Sequence, residues 1–368
     1  MYLLFMKKLV LCICFWGLQT VMAAEPPLKI GVAGLTHGHV DWVFTAHQRG
    51  EIEIVGIAER NQQLAAVYAN RYKLSPTLFH STVDQLLDAS RPEAVTSFSD
   101  TYAHLEIVRA CAPRGIHVMV EKPLAVSMKH AREMKKLAEK HQIEVLTNYE
   151  TSWYATTEKA YDLLHAGNIG DVRKVVVHDG HKGPKKIGVP STFLEWLTDP
   201  KLNGAGALMD FGCYGANLST WLLKGERPLS VTCIAQRFNE ADHPKVDDEA
   251  TIVVAYPSVQ VIIQASWNWP IGRKDMEIYG LTGAIYADNA RQLRVRMAKG
   301  YDGFDEEKME LSPRAQPFDD PFRVLTQVVR DKIRLAPFDL YSLENNMLVM
   351  EILEAAKNSA RSGKTVRL

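Results

Sequence analysis

Leu28-Lys29-Ile30-Gly31-Val32-Ala33-Gly34 is a short apolar run that stops on a glycine turn, and it reads as the first strand of a sheet. The pattern then repeats. Residues 39–48 carry helical spacing, Glu53-Ile54-Val55-Gly56-Ile57-Ala58 is a second strand, and 62–72 form a second helix. Ala94-Val95-Thr96-Ser97-Phe98 is a third strand, followed by a helix over 104–114 that ends at Gly115. Ile116-His117-Val118-Met119-Val120 is a fourth strand, 127–141 a charged amphipathic helix, and Glu144-Val145-Leu146-Thr147 a fifth strand. Strands and helices alternating at this spacing predict a parallel sheet with right-handed crossovers. Ligands of such sheets sit at the carboxyl ends of the strands.

The residues at those strand ends therefore matter most. A dinucleotide turn would read G-x-G-x-x-G from Gly34. Here Gly34-Leu35-Thr36-His37-Gly38-His39 puts Thr36 and His39 at the second and third glycine positions, with Gly38 displaced by one. Taken alone, the turn serves equally as a nucleotide loop or as an ordinary strand–helix turn. Amide groups at the start of the following helix would meet a pyrophosphate. Glu59 adds weight, because it ends the second strand, 25 residues after Gly34. An acid there accepts hydrogen bonds from a ribose diol and repels a 2′-phosphate, which favours NAD. Arg60 beside it keeps NADP open.

Two constellations carry the chemistry. The first is Glu121-Lys122-Pro123, directly after the fourth strand and with His104 upstream. An ammonium at a strand's carboxyl end points into the ligand crevice, where it can hold a hydroxyl and stabilise a developing alkoxide. The second lies in Gly204-Ala205-Gly206-Ala207-Leu208-Met209-Asp210-Phe211-Gly212-Cys213-Tyr214-Gly215-Ala216-Asn217. Asp210 and Tyr214 are four apart and share a face if a helix starts near Asp210. They would then bracket one hydroxyl, with a nearby Lys122 favouring the phenolate of Tyr214. The alternative is a capping Asp210 and a core Tyr214.

Together these residues resemble the Gfo/Idh/MocA family, named for glucose–fructose oxidoreductase and inositol dehydrogenase. The resemblance runs from about Lys29 to the C-terminus. It rests on the turn at Gly31–Gly34, His104, Glu121-Lys122-Pro123, the Gly167-Asn168-Ile169-Gly170 turn and Asp210-Phe211-Gly212-Cys213-Tyr214. It implies an α/β chain: a Rossmann domain over 25–148, then an α/β domain over 149–368 on a large, mostly antiparallel open sheet. Strands of that sheet would be 249–255, 259–267 and 275–279, with a turn at Leu281-Thr282-Gly283. The sheet commonly forms the family's dimer face, so a homodimer or homotetramer is expected. The resemblance also implies an NAD(P)-dependent oxidoreductase acting on a sugar or glycoside CH–OH, with Lys122, Asp210 and Tyr214 catalytic. Many members carry His where this chain has Tyr214, and Asp where it has Asn217. The cofactor would lie against Gly34, Thr36, His37, Gly38, His39, Glu59, Arg60, His104, Glu121 and Lys122.

On the substrate side, Asn148, Trp153, His178, Asp179, His181 and Lys182 join Asp210, since aromatic faces can cover a pyranose while polar groups fix its hydroxyls. His178 and His181 have no third ligand at metal-site spacing, so no metal is expected. Trp267-Asn268-Trp269-Pro270 reads as sheet packing or an interface. The same site residues would serve an NAD-dependent glycosidase or lyase working through a transient keto-sugar. The altered glycine turn also leaves open a non-catalytic sugar- or nucleotide-responsive protein.

Lys+Arg and Asp+Glu balance at 43 each, with no dense basic run, so nucleic acid is not an expected partner. Lys7 and Lys8, the apolar stretch 9–18, and Ala23-Ala24 before Glu25-Pro26-Pro27 follow the order of a secretory signal over 1–24. The apolar stretch is short for a bilayer span. An exported, periplasmic protein without stable membrane insertion is expected. Cys12 and Cys14 would leave with the signal; Cys111, Cys213 and Cys233 are too few for a disulfide framework.

Overall fold

The structure is a computed structural model and describes residues 25–368. The predicted signal lies outside the described residues. The first sheet contains β1 (Leu28–Ala33), β2 (Ile52–Ala58), β3 (Phe79–His80), β4 (Ala94–Ser97), β5 (His117–Glu121) and β6 (Val145–Asn148). All pair in parallel, in the order β3-β2-β1-β4-β5-β6. This order reverses direction between β1 and β4, which opens a crevice at their carboxyl ends. β4 is buried at every position because helices cover both sheet faces.

The short strand β3 and the helix Val83–Ser90 were not expected from the sequence. β3 has only two residues, and the helix buries just Leu86 and Leu87. Their fit is visible from the other side. A Cβ on Gly31 would come within 2.8 Å of the Leu86 side chain, so that glycine lets the helix approach the sheet.

The second sheet contains β7 (Val172–Gly180), β8 (Ser230–Gln236), β9 (Glu249–Ala255), β10 (Gln260–Ser266), β11 (Arg273–Gly280), β12 (Gly283–Ala287), β13 (Gln292–Lys299), β14 (Gly303–Glu310) and β15 (Val366–Arg367). Its order is β14-β13-β12-β11-β7-β10-β9-β8-β15, and every pairing is antiparallel except β7 with β10. Alternation sets its faces. Ala250, Ile252 and Val254 of β9, and Val261, Ile263 and Ala265 of β10, are buried beneath helices, while the residues between them along each strand are more exposed.

Helix Gly212–Leu222 packs on β7 and β10. The long helix Leu343–Ser362 packs on β8 and also meets β6 and helix Met128–His141, so it joins the two domains. Among the described residues, no helix is long and apolar enough to cross a membrane. Cys111, Cys213 and Cys233 are buried and free.

Candidate active site

Two cavities flank the loop after β1. The larger, about 560 Å³, opens at the carboxyl ends of β1, β2 and β4, and is lined by Gly34, Thr36, Glu59, Arg60, Ser99 and Asp100 among others. Gly34 has φ +81°, and a Cβ there would lie 2.7 Å from the Ser99 backbone, so the turn accepts only glycine. Glu59 is pinned at the cleft by two amides: Leu35 N–H donates to it at 2.9 Å and Asn61 N–H at 2.8 Å.

The loop does not offer the expected row of free amides. Thr36 and His37 N–H donate to Phe98 O, and His39 N–H donates to His37 Nδ1. Nor do all of its residues face this cleft. His37 and His39 turn into the second cavity, and Gly38 is exposed, with the Phe193 ring as its nearest neighbour. His104 is buried beneath the Glu121-Lys122-Pro123 turn and places Nδ1 3.2 Å from Leu124 O, so it supports that turn from below. Strand-end geometry, an acid at the ribose position and a glycine-only turn fit a dinucleotide. The displaced histidines do not contribute to that fit.

The second cavity, about 430 Å³, is lined by Lys122, Asp210, Tyr214, His181, Glu150 and Lys274, together with His37 and His39. Lys122 follows β5, and its peptide bond to Pro123 is cis. Its Nζ lies 2.5 Å from Asp210 Oδ1 and also donates to Asp210 O at 3.1 Å. Asp210 Oδ2 accepts from Trp267 Nε1 at 3.0 Å. Asp210 closes the short helix Ala207–Asp210, and Tyr214 lies in the next helix, so a break at Phe211 separates them. Tyr214 OH is 3.4 Å from Lys274 Nζ, which pairs with Glu150 Oε2 at 2.5 Å. Glu150 Oε1 accepts from Tyr154 OH at 2.7 Å.

These pairings set the protonation states. Burial works to raise the Asp210 pKa, but the Lys122 charge outweighs it and holds the carboxyl below its ordinary value. Burial likewise opposes a charged Lys122, and the Asp210 carboxylate overrides it. Tyr214 goes the other way from expectation. Burial, then the charges of Glu150 and Asp179, push the phenol well above its ordinary value. Lys122 sits over the Tyr214 ring, 5.2 Å from its centroid, rather than beside its oxygen. Burial holds His37, His39 and His181 below the ordinary imidazole value.

Several expected contact residues instead build the walls. Glu121 is buried between Asn148 Nδ2 at 2.8 Å and His39 Nδ1 at 3.0 Å, so Glu121 and Asn148 orient His39. His39 then stacks on Trp42 at 3.7 Å, and Trp153 meets Trp42 edge-on, outside the cavity lining. His178 and Asp179 line a separate, water-sized void behind the site. Both lie within β7, whereas His181, past the strand end, turns into the site. Lys182 is exposed and outside the lining.

The sequence does not point to Lys274, and Trp267, buried in packing as expected, also holds the site through Asp210. Lys274 lies just before the strand expected at 275–279, and the structure carries that strand back to Arg273. Two donor sets, His37–His39–Glu121 and His178–Asp275–Glu277, each lie within 4.8 Å. In each, a histidine and a carboxylate already face one another at about 3 Å.

Residues 28–149 match the family described as "Oxidoreductase family, NAD-binding Rossmann fold", and residues 157–286 match the "GFO/IDH/MocA C-terminal domain". The chain is 25% identical over 233 residues to a trans-1,2-dihydrobenzene-1,2-diol dehydrogenase of Xenopus laevis, a match covering 63% of this chain and 66% of that protein. The matched stretch thus spans just under two thirds of that relative. It is 22% identical over 320 residues to a D-xylose 1-dehydrogenase (NADP+) of Haloarcula marismortui, covering 85% and 83%. An aldose-aldose oxidoreductase from Caulobacter crescentus, solved with glycerol, superposes with TM-score 0.78 at 20% identity, covering 93% of this chain and 100% of that one. At that identity the likeness is one of fold.

Proposed function

Because the chain belongs to the Gfo/Idh/MocA oxidoreductase family and carries its NAD-binding Rossmann domain, we propose that it transfers hydride between a CH–OH carbon of a sugar or glycoside and a nicotinamide cofactor. One observation carries this reading: Lys122, distant in sequence from Asp210 and Tyr214, meets them in a cavity at the mouth of the parallel sheet. The nucleotide, when bound, supplies the hydride acceptor or donor.

The residues do the rest. Glu59 and Arg60 hold the nucleotide's ribose end, with Glu59 favouring NAD. Lys122, kept charged by Asp210, donates to the reacting oxygen and stabilises negative charge as it develops there. Trp267 and the Asp210 carboxylate fix that ammonium in place. Tyr214 retains its proton and is the second donor to the same oxygen, delivering it when a carbonyl is reduced. When an alcohol is oxidised the step runs in reverse, and the Tyr214 oxygen, deprotonated beforehand, takes the proton back. The Glu150–Lys274 pair sets the position of the Tyr214 hydroxyl.

Incubation with a panel of sugars and glycosides, with NAD or NADP, tests the reading. The expected result is a keto-sugar with matching nucleotide reduction, faster with NAD. Cleavage of a glycoside without net reduction would move the reading to a glycosidase or lyase. Failure of every substrate to change while nucleotide still binds would move it to a responsive binding protein.

The signal-like order of residues 1–24 supports export as part of the same proposal. The full chain expressed in a Gram-negative host should be recovered from the periplasm, shortened near Ala24. Uncleaved protein in the cytosolic fraction would rule export out.

A further inference from the structure

The second cavity has two chemically unlike walls. The inner wall holds the charged and polar groups, and each of its charges is paired inside the protein. Lys122 is matched by Asp210, Lys274 by Glu150, and Arg273 by Asp275 at 2.6 Å. The histidines that line it are kept neutral by burial. No unpaired cation among these residues is left to select a carboxylate or phosphate, and an anionic group there would have to displace an existing pair.

The outer wall is apolar. Residues 184–197, leaving the end of β7, fold into the short helices Pro184–Ile187 and Ser191–Leu197 and bring Pro184, Ile187, Val189, Phe193 and Leu197 to the cavity, opposite Phe211. Ile187 is 45% exposed and Phe193 half-buried, so their apolar surface still meets water and would be covered by a ligand. Phe193 is braced by His37 at 4.8 Å and Trp196 at 5.0 Å between ring centroids. It is a prepared aromatic face rather than a loose side chain.

We propose that the substrate is a neutral glycoside with an apolar aglycone, its sugar held by the inner wall and its aglycone lying on Phe193, Val189 and Ile187. The inference rests on the sugar or glycoside reading above and narrows it. A cavity of about 430 Å³ is within the usual range for a small-molecule site.

The test is calorimetric titration of full-length, NADH-loaded protein with matched phenyl and methyl glycopyranosides of several sugars. For at least one sugar the phenyl compound should bind on the order of 10-fold tighter, the scale set by apolar contacts in a pocket. Its heat-capacity change should also be more negative. Phe193→Ala should erase most of that ratio. Ile187→Asp, at an exposed position that folding tolerates, should lower the ratio in the same direction. Equal phenyl and methyl affinities across all pairs, no binding of any phenyl glycoside, or a ratio untouched by both substitutions would overturn the proposal. Selective binding of phenyl glycosides with no hydride transfer when NAD replaces NADH would instead uphold this inference and reject the redox reading.

Discussion

Lys122→Met is expected to lower kcat by on the order of 10²–10³-fold, the loss seen when one preorganised donor to a developing oxyanion is removed. The same substitution is expected to destabilise the protein. A lysine in a ligand crevice suggests a side chain that folding can spare, but this one is 6% exposed and paired with an equally buried Asp210. Removing it leaves a carboxylate with the Trp267 indole but no cation. Breaking such a pair costs about 3–5 kcal/mol, which corresponds to a melting temperature lower by on the order of 10 °C.

The sign follows from the pKa. Asp210 in the folded protein lies below its ordinary value, so its contribution to stability is present above the unfolded value and lost as pH falls through the folded one. At neutral pH, Lys122→Met therefore removes the whole contribution. The double substitution Lys122→Met with Asp210→Asn, which leaves no buried charge, should recover much of the melting temperature and none of the activity. Near-wild-type turnover in Lys122→Met would take Lys122 out of the mechanism. An unchanged melting temperature would contradict the pairing itself.

Tyr214→Phe is expected to reduce kcat by on the order of 10²-fold or more, the usual contribution of a positioned acid, with little change in KM. Phenylalanine keeps the ring where it is, edge-on to Tyr149 at 5.4 Å, and removes only the hydroxyl near Lys274. The pH profile separates two roles for that hydroxyl. Because burial raises its pKa, Tyr214 stays protonated through neutral pH and contributes no limb there. In the reducing direction the residual activity of Tyr214→Phe should thus follow the wild-type profile at a lower level. In the oxidising direction the same hydroxyl must lose its proton first, so the rate should keep climbing with pH beyond the neutral range, and that climb should be lost in Tyr214→Phe. A limb between pH 7 and 9 in the reducing direction that disappears in Tyr214→Phe would mean an ionised phenol, and the donor role would fail.

Both results depend on features that differ in how far the chain alone specifies them. The parallel sheet was readable because its strands are local. β1, β2, β4, β5 and β6 are each a short, largely apolar run between turn residues, and a pattern within a few residues suffices to mark them. Gly34 and Glu59 were readable for a related reason, since a strand's end fixes where its next residue points. The Glu121-Lys122-Pro123 turn and the Asp210–Tyr214 segment were identified as one site through resemblance to a family. Neither spacing nor periodicity connects residues 88 positions apart.

What only the tertiary structure decided is which side chains face the site and in what state. His37 and His39 belong to the nucleotide turn in sequence, but packing against Phe193 and pairing with Glu121 swing them to the substrate side. Asn148 was placed against substrate and is spent holding Glu121. Lys274 and Trp267 come from β11 and the end of β10, and reach Tyr214 and Asp210 only because the open sheet folds back under helix Gly212–Leu222. The pKa of Tyr214 shows the distinction most directly. A lysine near a phenol lowers its pKa in water, and the sequence supports no finer statement. Burial of the ring and the carboxylates around it reverse the sign, because the cost of a buried charge depends on everything that surrounds it.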